Sequence, residues 1–123
     1  HANYNSYNKI NPFMFTDIHN MNDSILESSK ILIDFAHLKV SCNTLQLDFT
    51  SMSKDFASLT DYWHLSDNNG ISDLNLPLDF NSKWLSKLKE ELSENLTVTL
   101  EIKGGIQKAI DSLNYLNKIY ESK

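Results

Sequence analysis

The chain has 123 residues, 16 acidic and 11 basic, with a formal net charge of −5. Every basic residue is lysine, and without arginine, the usual bidentate reader of phosphate and guanine edges, an acidic chain is a poor partner for nucleic acid or an anionic membrane. Cys42 is the only cysteine, so no intrachain disulfide forms, and no apolar run reaches the roughly 18 residues that a membrane span needs.

The first stretch, residues 1–11, is polar and rich in Asn, and it reads as a flexible arm. Asn11-Pro12 has the form of an N-cap followed by Pro at the first helical position, which predicts a short helix over 12–20. Ser24-Ile25-Leu26-Glu27 has the form of a capping box, in which hydroxyl and carboxylate each accept from an unpaired N–H. A long helix over 24–65 is expected to start there.

The dominant pattern lies within that helix. Ile31, Phe35, Leu38, Cys42, Leu45, Phe49, Met52, Phe56, Leu59 and Trp63 recur in alternating steps of four and three, uninterrupted by Gly or Pro. A helix gathers such positions on one stripe. The aromatics fit poorly in a narrow two-stranded coil and favour a wider bundle.

Residues 66–81 break the pattern. Ser66-Asp67-Asn68-Asn69-Gly70 has turn composition, and Pro77 forbids a helix interior. A second long helix is expected over 82–121, with Asn81 as N-cap and a hydrophobic staple between Phe80 and Leu85. Its heptad runs Leu85, Leu88, Leu92, Asn95, Thr99, Ile102, Ile106, Ala109, Leu113, Leu116, Tyr120. Asn95 and Thr99 would form a polar core layer that sets register or contacts a ligand. Gly104-Gly105 is the weak point and a possible hinge, although the unbroken phase from Ile102 to Ile106 argues for a continuous helix.

The predicted fold is a single all-α domain, a long antiparallel helical hairpin that closes as a four-helix bundle. The alternative is α+β. Leu45–Phe49 and Val98–Ile102 alternate with period two and suit short strands near 45–50 and 97–103, with a turn at Lys103-Gly104-Gly105.

Chemistry is sparse in this frame. Asp34-x-x-His37 and Asp61-x-x-His64 echo the carboxylate–histidine elements of metal-binding bundles, but on the predicted stripe most of these side chains point outward. Glu90, Glu91, Glu94 and Glu101, interleaved with lysines, read as a solvated helix face. No catalytic residue, metal site or cofactor is expected, and the chain is read as a non-enzyme. The function expected is a helical protein–protein interaction or oligomerisation module, with a protein partner or a second copy. An extracytoplasmic small-ligand sensor domain of a membrane receptor is the alternative, and a secreted effector or immunity protein comes next. A secreted or extracytoplasmic location is slightly favoured. The many Asn, Ile and Lys residues suit an AT-rich genome.

Overall fold

A computed structural model describes residues 30–123 of the chain. The predicted arm, the helix over 12–20 and the capping box at Ser24 lie outside the described residues.

The apolar run Ile31-Leu32-Ile33 does not open a helix. It leads into strand β1, Ile33–Asp34, both residues buried. Asp34 then takes an extended conformation, and its side chain accepts from His37 N, so it is the N-cap of α1, Phe35–Leu45. Helix α1 ends where Gln46 adopts the left-handed conformation at φ 58°, and Leu47 N–H donates to Cys42 O. Asp48 caps the next helix, α2, Phe49–Ala57, by accepting from Ser51 N. Strand β2, Tyr62–Leu65, follows, with Trp63 and Leu65 buried. After a long loop comes a 3-10 helix, Leu85–Glu91, then strand β3, Thr97–Leu100, and helix α3, Ile106–Glu121.

The strands form one sheet in the order β1-β2-β3, and both pairings are parallel. The register sets Ile33 beside Trp63 and Trp63 beside Val98. Alternation therefore turns Ile33, Trp63, Leu65, Val98 and Leu100 to one face. They pack in one core with Phe35, Leu38, Met52, Phe56, Leu85, Leu88, Leu116 and Ile119. Aromatic contacts tie the layers together: Phe35 meets Trp63 edge-on at 4.9 Å and stacks on Trp84 at 5.8 Å, and Phe49 meets Trp84 edge-on at 5.6 Å.

The chain is thus a mixed helix-and-sheet fold, not an all-α hairpin, a helical bundle or a coiled coil. The first heptad is genuine within α1 and α2, where Phe35, Leu38, Cys42, Met52 and Phe56 are buried. The three residues between the helices, Gln46, Leu47 and Asp48, preserve the phase of the pattern while the backbone turns. The second heptad crosses a 3-10 helix, a strand and a loop before α3. There the inward positions are Ser112, Leu116 and Ile119, so the expected seam residues Ile106 and Leu113 are 78% and 46% exposed. Asn81 caps no helix, and Phe80, 73% exposed, staples nothing. Of the two strands in the α+β alternative, Thr97–Leu100 is present, whereas Leu45–Phe49 is the joint between α1 and α2.

Candidate functional site

The sheet's second face is different in chemistry. The register that aligns Ile33, Trp63 and Val98 also aligns Asp34, His64 and Thr99 on the opposite side. Asp34 is the last residue of β1, His64 the penultimate residue of β2, and Glu101 directly follows β3. All three side chains therefore stand at the carboxyl ends of parallel strands, where α/β folds collect binding groups.

These groups converge. One ligand atom from each of Asp34, His64 and Glu101 lies within 4.8 Å of the others. His64 Nδ1 is 2.9 Å from Glu101 Oε1. Asp34 is buried, and its Oδ1 accepts from His37 N at 2.9 Å. Its Oδ2 lies 3.3 Å from His37 Nδ1, but without hydrogen-bond geometry. On the other side of the ring, His37 Nε2 lies 3.1 Å from Asp73 Oδ2. If the Nε2 proton is given to Asp73, Nδ1 turns its lone pair toward Asp34 Oδ2, a second acceptor. Two facing acceptors leave an unmatched pair of lone pairs that a nearby cation would stabilise. Asp73 Oδ1 is a further buried oxygen with no hydrogen-bond partner among the described residues.

The loop after β2 places Asp73. Asp67 and Leu76 exchange both main-chain hydrogen bonds, at 2.9 and 2.8 Å, and close the loop at its base. Asn68 donates from Nδ2 to Ala36 O at 2.8 Å and accepts from Gly70 N at 2.8 Å, which pins the loop to the first turn of α1. Asn69 Oδ1 accepts from Ile71 N and Ser72 N. Asp73 is thereby held over His37.

A divalent ion bound to such donors at about 2.0–2.2 Å holds its ligand atoms roughly 3–4 Å apart, so small side-chain rotations suffice to close the trio on an ion. One imidazole with two carboxylates suits Zn2+, Mn2+ or Co2+ better than Mg2+ or Ca2+. Three protein ligands also leave coordination positions for water or a substrate oxygen.

The residues singled out from the sequence fall elsewhere or change role. Asn95 is exposed in the turn before β3 and forms no polar layer with Thr99. Thr99 lies on the polar face, and its Oγ1 is 3.1 Å from Tyr62 OH. Gly104 and Gly105, with φ of 108° and 88°, are a loop before α3 rather than a hinge within a helix. Asp34, His37 and His64, set aside as outward-pointing, are brought together instead. Glu101 is on no helix, and Asp73 carried no signal within a loop-like stretch. Asp61 joins neither group; its carbonyl accepts from Thr97 N at 2.8 Å.

No family model matches the chain, and no curated protein or solved structure matches it either. Among the described residues, no helix is long and apolar enough to cross a membrane.

Proposed function

We propose that the chain binds a divalent cation of the Zn2+, Mn2+ or Co2+ type through Asp34, His64 and Glu101, and uses it to hold a small oxygen-bearing ligand. One observation carries this reading: three ligand side chains from three successive parallel strands meet at one rim. When bound, the ion supplies Lewis acidity to an oxygen in an open coordination position. The protein groups do the rest. Asp73 orients His37, and the buried Asp34 carboxylate gains the positive partner that a buried charge requires. His37 borders the trio, with its ring nitrogens directed at Asp34 and Asp73, and steadies the Asp34 side chain.

Titration of the metal-stripped chain with Zn2+ or Co2+, followed by calorimetry and by the visible absorption of Co2+, tests this. One ion per chain is expected. His64→Ala and Glu101→Ala each weaken binding by at least about tenfold, while His37→Ala, which acts through Asp34, has a smaller effect. Uptake should fall as the pH drops, because protons compete with the ion for imidazole and carboxylate. If wild type and His64→Ala take up metal equally, the reading fails.

A second reading, association with a protein partner, draws on a separate feature. On α3, Ile106, Ile110, Leu113 and Tyr120 form an exposed apolar stripe that no described element covers. Sedimentation of the purified chain tests that reading independently of metal.

A further inference from the structure

The entry to β3, at the end of the sheet away from the cation cluster, carries chemistry of its own. Asn95-Leu96-Thr97 has the form Asn-x-Thr, the acceptor pattern for an N-linked oligosaccharide. A continuous helix over 82–121 would set Asn95 in an apolar seam, where no sugar fits. The fold sets it in the open. Leu96 N–H donates to Ser93 O at 3.1 Å and closes a turn, in which Asn95 is exposed. Leu96 packs inward against the core, while Thr97, the first residue of β3, is exposed. One inward residue thus separates an amide and a hydroxyl that both face solvent. Thr97 N–H donates to Asp61 O at 2.8 Å, which fixes the backbone beneath that hydroxyl. Among the described residues, neither the Asn95 amide nor the Thr97 hydroxyl has a side-chain hydrogen bond that a sugar would break.

We propose that Asn95 is an acceptor for an N-linked oligosaccharide. The transfer forms a bond between Asn95 Nδ2 and the anomeric carbon of the sugar. It breaks the bond from that carbon to a polyprenyl diphosphate, which leaves, and the amide proton passes to a base of the transferase. The Thr97 hydroxyl completes the pattern that such an enzyme reads beside the amide. The folded chain accommodates the product without unpacking a side chain, because the amide already stands in water. Strand β3 lies between this turn and Glu101, and its four residues span roughly 13 Å at about 3.3 Å each. A glycan on Asn95 therefore leaves from the amino end of the strand and keeps clear of the cation cluster at the carboxyl end. Asn22-Asp23-Ser24 has the same form but lies outside the described residues. The proposal does not depend on the cation site.

Expression of the full chain in eukaryotic cells behind a cleavable signal peptide tests it, with the lumenal fraction and the medium both analysed. Asn22→Gln removes the other acceptor pattern. In that background one sugar chain per protein is expected, seen as a gel shift that peptide-N-glycosidase reverses. Adding Asn95→Gln should abolish the shift. Adding Thr97→Ala instead should abolish it with the asparagine still in place, and Thr97→Ser, which keeps the hydroxyl, should retain it. The glycosylated and enzyme-treated chains should give the same circular dichroism, because no packed side chain is displaced. A lumenal or secreted Asn22→Gln chain that carries no sugar, or one whose sugar survives Asn95→Gln, overturns the proposal.

Discussion

Single residues carry much of the local geometry, and Gly105 is the clearest case. It has φ 88° and ψ 176°, a region essentially closed to side chains, directly before α3. Gly105→Ala should therefore lower stability by about 1–3 kcal/mol, measured by calorimetry, even though no atom lies within 4 Å of the added methyl group. An increase would mean that the pair sits in a helix. Tyr115 gives a pH signature. Burial first, then the carboxylates of Asp79 and Asp67, raise its phenol above the usual value of 10.0. The folded chain holds that proton more tightly than the unfolded chain. Stability is therefore full below pH about 10 and falls as pH rises from there toward the raised value. Tyr115→Phe should reduce that alkaline loss in urea unfolding followed against pH.

Within the elements, two aspartates decide where helices begin. Asp34 and Asp48 each accept a main-chain N–H three residues on, and each divides what looks like one periodic run. Asp48→Ala should cost about 1 kcal/mol and fray α2, seen as lower protection of the Ser51 amide in hydrogen exchange. These caps also explain what could be read in advance. Of the side chains that α1 and α2 bury, Phe35, Leu38, Cys42, Met52 and Phe56 follow from their spacing while Val40 and Ala57 do not, and the turn composition at Ser66–Gly70 and the break at Pro77 are read from the residues themselves. The helix boundary at Gln46 does not, because a three-residue joint kept the heptad in phase. Strands of two and four residues leave one or two alternations each, too few to outweigh a ten-position helical stripe. Their stability comes from pairing with chain some thirty residues away, which no local pattern records.

For the chain as a folded unit, the same long-range pairing hides the site. Asp34-x-x-His37 is visible as a pair, but His64 and Glu101 join it only when parallel strands bring their carboxyl ends level, and Asp73 only when the loop after β2 is pinned against α1. A helical frame sent those side chains to solvent, and the sheet collects them. The predicted association surface was placed on two long seams, and those seams are now partly core and partly strand. Among the described residues, exposed apolar side chains include Ile106, Ile110, Leu113 and Tyr120 in a row along α3, with Ile71, Leu76 and Phe80 on the loop after β2.

Asp34 divides its carboxylate between two duties. One oxygen fastens the opening turn of α1, and the other lies 3.3 Å from His37 Nδ1 beside His64 and Glu101. A cation drawn to that carboxylate would share its charge and so touch the cap that begins α1, coupling the candidate site to the start of the helix. One side chain thus ties the candidate site to the folding of α1, and a change at either would be felt at the other.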